Sequence, residues 1–450
     1  MRCLLLSWPI GAEGEYVMRD VRRTTMAATV SLLAAIALAG CGSGDSGAKP
    51  DAAKKDAAQC RKLDSNLAWY GGVREKLQAA IDAHSSCTGT FSGSPAPVAI
   101  FDWDNTVVKN DIGYATNYWM LRNDKILQPA NQDWKTTDRY MTDAAAAALK
   151  TACGTDVPAG QPLRTSSSTD TACADEILAI LDDKTRAGQP AFAGYDARRL
   201  IGSYSWGTAL SAGYTAAQLA EFATSAKKEN LGAAKGTTQT VGSQQVDGYI
   251  RVYPQIKDLI GTLRANGVDT WIVSASPEPI VKVWASDAGI DDNHVVGVRS
   301  VYENGKQTAH LLGCGDVADG DDSVMTYIDG KRCWANQAIF GVRGAAAFQQ
   351  LPAQRRQILA AGDSVTDVTF VGDATAVHLV INRNKPELMC RAYDNADGKW
   401  LINPMFIVPN KQVADPYPCS TKAFTKSDGS SAPLLRDDGS VVQDQKDTVF

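Results

Sequence analysis

Apolar residues recur at helical spacing over Asn66 to His84 ("NLAWYGGVREKLQAAIDAH"), which predicts an amphipathic helix. A loop rich in Ser, Gly and Pro follows. The next apolar run, Val98 to Phe101, is short and unbroken, and fits a buried strand that ends on Asp102. From about Val107 to Gly248 the pattern is helical almost throughout, in "ATNYWMLRND", "TDAAAAALKTA", "ADEILAILDDKTRAG" and "TAAQLAEFATSAKK", with few strand signals. Near Tyr249 the texture changes. "YPQIKDLIGTLRANG" reads as a helix stopped at Gly267, and "VDTWIVSAS" as a buried strand. "PEPIVKVWASDAG" is helical, and "HVVGVRSVYENGKQTAHLLG" reads as a hairpin. "CWANQAIFG" is helical, "RQILAAGDSVTD" ends a strand, and "AVHLVINR" is a further strand.

Strands alternating with helices predict an α/β fold, a doubly wound parallel sheet, and the helical block after the first core strand reads as an inserted cap. The expected organisation is a core from 61–111 and 249–421, a helical cap at 112–248, and a polar, mobile tail at 422–450. At 450 residues the chain can bury a large core. Its net charge of -5 carries no basic footprint, which excludes nucleic acid as an expected partner.

The N-terminal segment has a basic start (Arg19, Arg22, Arg23), an apolar run from about Ala27 to Ala39, and then Gly40-Cys41. That run is short for a membrane span and fits a signal peptide. Small residues before a cysteine resemble a bacterial lipobox, so residues 1–41 are expected to be a lipoprotein signal, with Cys41 lipidated. Met18 is an alternative start. Residues 42–60 read as a flexible tether. The chain is then expected to be exported and lipid-anchored to the outer face of the cell membrane, or secreted, and monomeric. Export gives the cysteines meaning. Setting Cys3 and Cys41 aside leaves eight, an even number that reads as disulfides in an oxidising compartment. The simplest pairing is sequential: Cys60–Cys87, Cys153–Cys173, Cys314–Cys333 and Cys390–Cys419. These staples are expected in the cap and peripheral loops, away from any chemistry.

Three strand ends carry candidate chemistry: Asp102-Trp103-Asp104-Asn105-Thr106, Ser274-Ala275-Ser276, and Gly362-Asp363-Ser364-Val365-Thr366-Asp367. In a parallel sheet the carboxyl ends of strands share one edge, where open α/β folds place ligands. Carboxylates gathered at one point need a cation, and an all-oxygen ligand set favours Mg²⁺. One carboxylate can then attack phosphorus while a second works as acid and base.

These motifs resemble the haloacid dehalogenase superfamily of phosphatases. "DWDNT" is similar to its D-x-D-x-T/V motif, which implies Asp102 as nucleophile and Asp104 as acid/base. The resemblance further implies Ser274 as the second-motif hydroxyl and Asp363 and Asp367 in metal binding with Asp102 and Asp104. Lys331, in "DGKRCWANQAIFG", is the expected third-motif lysine; Arg343 is the alternative. Members that cleave carbon–halogen bonds lack the second acid, so Asp104 implies phosphatase chemistry. Within the superfamily the chain is similar to the phosphoserine phosphatase-like branch, and particularly to secreted bacterial phosphorylcholine phosphatases. That branch carries an acidic residue nine positions after the nucleophile, which here is Asp111. Asp111, Ser274, Ala275, Tyr118 and Trp119 are therefore the expected substrate-binding residues. Tyr114, Trp134, Tyr140, Tyr204 and Trp206 complete an aromatic set suited to a quaternary ammonium. The expected activity is Mg²⁺-dependent hydrolysis of a small phosphorylated amine, a phosphocholine or phosphoserine type of metabolite. A non-catalytic phospho-solute-binding lipoprotein and a phosphotransferase are the alternatives.

Overall fold

The structure, a computed structural model, describes residues 60–90, 93 and 95–450. The signal segment, Cys41 and the tether up to residue 59 lie outside the described residues. Among the described residues no helix is long and apolar enough to cross a membrane.

The first core elements are α1 (Val73–His84), β1 (Val98–Phe101) and β2 (Val108–Lys109). The helix begins seven residues later than the periodicity predicts. Gly71 takes a positive φ of 50° and Gly72 stands at the N-cap, so the glycine pair makes a turn that the apolar spacing conceals. The inserted block holds α2 (Ile112–Arg122), α3 (Asp143–Cys153), α4 (Ala172–Leu181), α5 (Gly202–Ala209), α6 (Ala216–Gly232) and a hairpin, β3 (Thr238–Val241) with β4 (Gln244–Asp247). That hairpin is an addition to the helical cap that the sequence predicts. The block encloses its own apolar cluster, including Met120, Trp134, Leu149, Ile177, Trp206 and Leu219.

The chain then runs through β5 (Arg251–Val252), α7 (Pro254–Ala265), β6 (Asp269–Pro277), α8 (Glu278–Ala285), β7 (Val295–Val298), β8 (Ser300–Glu303) and β9 (Lys306–Leu311). It closes with α9 (Asp329–Ala338), β10 (Leu359–Gly362), α10 (Val368–Gly372), β11 (Val377–Asn382), α11 (Pro386–Asp394) and β12 (Trp400–Pro404). Pro254 at the first position of α7 and Gly267 beyond its end (φ 84°) bound that helix as the sequence implies.

Six strands form the central sheet in the order β12-β11-β10-β1-β6-β7, all parallel. Every residue of β1, β10 and β11 is buried. This is the pattern of strands covered on both faces, which leaves no polar alternation to read. Ala99 and Phe101 belong to one apolar layer and Val98 and Ile100 to the other, so β1 divides two cores. The stretch from Val295 is only partly a hairpin. Val295–Val298 joins the main sheet as its edge, and the two-stranded ribbon is β8 with β9.

Disulfides link Cys60–Cys87, Cys153–Cys173, Cys314–Cys333 and Cys390–Cys419. The third departs from the expected peripheral placement, because Cys333 sits on α9 two residues after Lys331.

The C-terminal segment also differs from the mobile tail expected. Leu434 and Val442 are buried in one of the two sheet layers. Asp447, 2% exposed, accepts from Asn382 Nδ2, the Tyr393 hydroxyl and Val413 N. A few apolar residues spaced among Ser, Asp and Gly suffice to dock it. Leu434→Ala should therefore cost about 3 kcal/mol; an unchanged denaturation midpoint would show that the segment adds nothing to the fold.

Candidate active site

The sheet register sets the site. Phe101 pairs with Ala361 on one side and Ile272 on the other, and Asp102 N donates to Ala361 O at 3.0 Å. The residues that follow β1, β10 and β6 thus leave the same edge together. Asp102 is 4% exposed. Its Oδ1 accepts from Lys331 Nζ at 2.7 Å and its Oδ2 from Thr106 Oγ1 at 2.9 Å. Lys331, with none of its surface exposed, also donates to Asp367 Oδ1 at 2.6 Å. Arg343 is exposed on the loop after α9, so the geometry places the lysine, not the arginine, beside Asp102.

Asp367 has both oxygens engaged. Oδ2 accepts from the backbone N–H groups of Asp363 and Ser364, and Oδ1 from Lys331 Nζ and Thr366 Oγ1. It braces the loop after β10 and aims the lysine. Asp363 Oδ2 accepts from Arg383 Nη1 at 2.7 Å. One carboxylate oxygen from each of Asp102, Asp363 and Asp367 lies within 4.8 Å of the others. The set is buried and all oxygen, which fits a hard divalent cation.

Asp104 stands apart from that group. Its Oδ1 accepts from Ile112 N at 2.7 Å and its Oδ2 from Ser276 Oγ at 2.7 Å, so its side chain is not placed as the fourth metal-ligating carboxylate of the sequence expectation. It still lines the same pocket as Asp102, together with Asp111, Asp363 and Arg383.

Burial raises the carboxyl of Asp102, with Asp367 adding to it and Lys331 opposing. Asp104 is raised by burial and then by Asp111. Asp363 is raised by burial, against the pull of Arg383. Burial alone would lower Lys331, but Asp102 and Asp367 outweigh it and hold the amine charged. One buried ammonium shared by two carboxylates leaves the cluster short of positive charge.

Asp111 combines two roles. Its Oδ1 accepts from Tyr114 N as the N-cap of α2, and the residue lines the pocket. Tyr114 and Asn117 follow it at three-residue intervals on the same face and also line the pocket. Tyr118 and Trp119 do not line it. Tyr118 stacks on Tyr114 and lines a neighbouring cavity with Asp111, Asp247 and Tyr249, and Trp119 stacks on Phe222 of α6. Of the aromatic set only Tyr114 and Tyr204 line the catalytic pocket. Ala275 lines it as expected, and Ser274, fully buried behind Ser276, accepts from Ser276 N and donates to Asp104 Oδ2 at 3.5 Å.

Ser276 and Arg383 are the residues that sequence reasoning missed. Ser276 was hidden by its neighbour in "SAS". Arg383 follows β11 directly, so extending the strand-end rule to "AVHLVINR" would have found it.

The haloacid dehalogenase-like hydrolase family matches residues 186–371. Together with the parallel sheet and its strand-end acids, this shows that the chain has the haloacid dehalogenase-like fold. It is similar to a phosphorylcholine phosphatase of Pseudomonas aeruginosa, with 26% identity over 144 residues, 30% of this chain and 41% of that protein's length. A conserved protein of unknown function from Anaerococcus prevotii superposes with a TM-score of 0.53 at 18% identity, over 76% of this chain and 93% of its own. A substrate-bound phosphoserine phosphatase aligns at a TM-score of 0.29 and 12% identity, over 65% of this chain and 89% of its own.

Two outcomes follow from the geometry. Lys331→Met in metal-free protein leaves two buried carboxylates without their ammonium and should lower stability by about 3–5 kcal/mol; a neutral effect in urea denaturation would show that the pair is not buried as described. In the inserted block, Asp138 accepts from Tyr140 N and from Ser205 Oγ of α5, and burial raises it from 3.8 to about 6. A carboxyl raised in the fold stabilises while protonated, so its contribution is full below about pH 4 and is lost as pH rises through 6. Asp138→Asn should flatten the fall in melting temperature across that window, and an unchanged profile would contradict the shift.

Proposed function

We propose that the protein is a Mg²⁺-dependent phosphomonoesterase acting on a small phosphorylated amine, of the phosphocholine or phosphoserine type. The observation that carries this reading is the separation of two carboxylates, one buried and one half-buried, at one pocket. Asp102 is held by Lys331 and Thr106, and Asp104 is held independently by Ser276 and Ile112. A pocket that only bound phosphate would have no use for two adjacent carboxylates of opposite protonation demands.

In this reading Asp102 attacks phosphorus, the ester oxygen departs, and an aspartyl-phosphate forms on Asp102. Asp104, raised by burial, donates its proton to the departing oxygen and then takes one from the water that hydrolyses the acyl-phosphate. Lys331 orients Asp102 and opposes the rise that burial imposes on it. Asp102, Asp363 and Asp367 would hold the Mg²⁺ ion, which supplies charge neutralisation for the phosphoryl oxygens. Arg383 makes one hydrogen bond to Asp363, and its remaining N–H groups suit the phosphoryl oxygens. Asp111, with Tyr114 and Tyr204 close by, gives the amine end of the substrate a carboxylate and two ring faces. The relative from Pseudomonas aeruginosa supports the choline ester as a substrate class. The basic-apolar-Cys41 leader and the four disulfides support export, with lipid anchorage at the outer face of the membrane.

Phosphate release from phosphocholine, phosphoethanolamine and phosphoserine, with Mg²⁺ and with chelator, tests the reading. Release should depend on the metal, cease in Asp102→Asn, and fall about 10²–10⁴-fold in Asp104→Asn. Turnover that survives Asp102→Asn would overturn the nucleophile. No release from any of the three would favour a phospho-solute-binding protein, and transfer to an added alcohol instead of water would mark a phosphotransferase.

A further inference from the structure

One wall of the catalytic pocket comes from the inserted block: Tyr114 and Asn117 of α2, and Ser203, Tyr204, Gly207 and Thr208 of α5. Three hydroxyls of that wall have already given their hydrogen to the protein. Tyr114 donates to Leu181 O at 3.1 Å, Ser203 Oγ to Asp183 Oδ2 at 3.0 Å, and Thr208 Oγ1 to Tyr204 O at 3.1 Å. A hydroxyl so committed has lone pairs left and no hydrogen. The Tyr204 hydroxyl can turn either way.

Asn117 fixes the pattern. Its Nδ2 donates to Gly207 O at 3.3 Å, and a carbonyl can be met only by the NH₂ end of the amide. Gly207 permits the approach: a Cβ there would stand 3.3 Å from Asn117 Nδ2 and 3.2 Å from Leu181 Cδ2. The amide oxygen is the end left over. Oδ1 accepts from no described residue, and it is not one of the side-chain atoms shut away from solvent without a partner. Asn117 is 6% exposed and lines the pocket, so the space its oxygen opens onto is the pocket. Asp111, which caps the same helix, adds a carboxylate there. The wall thus offers acceptors and negative charge, and calls for hydrogen-bond donors on a cation.

We propose that this wall is the amine subsite of the phosphomonoesterase described above, a reading on which the inference rests, and that it selects a primary ammonium, with Asn117 as the specificity-determining residue. The substrate class is then a 2-aminoalkyl phosphate in preference to its N-trimethylated counterpart. A primary ammonium carries three N–H donors and a trimethylammonium none. The trimethylated group would cover Asn117 Oδ1 and the spent hydroxyls with methyl groups, and acceptors that lose water without gaining a donor cost binding energy. The rings of Tyr114 and Tyr204 are too few to enclose three methyl groups and offset that cost.

The test separates binding from turnover. 2-Aminoethylphosphonate, which has no ester bond to break, is titrated by calorimetry into the Mg²⁺-loaded protein, beside its N-methyl, N,N-dimethyl and N-trimethyl forms. Affinity should fall with each methylation, by at least about tenfold from first to last. Asn117→Leu should bring that ratio to about one. The methylation series is read on the unaltered chain, so it decides the matter even where that variant does not fold. Phosphate release from phosphoethanolamine and phosphocholine, run in parallel, tests the hydrolysis itself; the affinity order without release would remove the phosphatase and uphold the subsite. Equal affinities across the series, tighter binding of the trimethyl form, or an order that survives Asn117→Leu would overturn the inference even where both esters release phosphate. Absence of binding by all four phosphonates would overturn it as well.

Discussion

Taking an ammonium wholly out of water costs several kcal/mol unless anions surround it. Lys331 is in that position, and Asp102 and Asp367 are what make it tolerable. The pair is a constraint on the whole core. It joins the residue after β1 to the loop after β10 through a side chain on α9, three segments that are far apart in sequence. The sheet register that sets Phe101 opposite Ala361 is therefore fixed twice, by backbone pairing and by this buried ion triad. The Cys314–Cys333 disulfide anchors α9 close to its charged residue, so the covalent staple and the electrostatic one act on the same helix.

Negative charge at the site is distributed and not simply accumulated. Asp367 is engaged by backbone N–H groups, Thr366 and Lys331, and Asp363 leans on Arg383. Asp102 keeps the shared ammonium, and Asp104 is answered by neutral donors only. A carboxyl that meets neutral donors in a buried place holds its proton more readily than one facing a cation. Two aspartates one residue apart are thereby given different chemistry by their neighbours, without any difference in side chain.

The fold was largely legible in the sequence because continuous apolar runs ending in acids signal parallel strands and their functional edge. The order of Asp102, Ser274 and Asp363 along the chain was enough to place them together. What was not legible depended on side-chain direction. Tyr118 and Trp119 lie on the right helix but outside the pocket that Asp111, Tyr114 and Asn117 line, and composition alone does not say which side chains of a cap helix reach it. Ser274 and Ser276 both reach Asp104 Oδ2 from one strand, yet depth leaves only Ser276 lining the pocket. The C-terminal segment looked solvated because its composition is polar; Leu434, Val442 and Asp447 show that three well-placed residues outweigh that average.

The amide that holds Asp104 belongs to Ile112, the first residue of α2 and the point where the chain enters the inserted block. Asp111, one residue earlier, both caps that helix and faces the pocket. The root of the cap thus helps to hold Asp104. The orientation of that carboxylate is tied to the position of the whole inserted block, so a change in how the block sits would be felt first at the residue two places after Asp102.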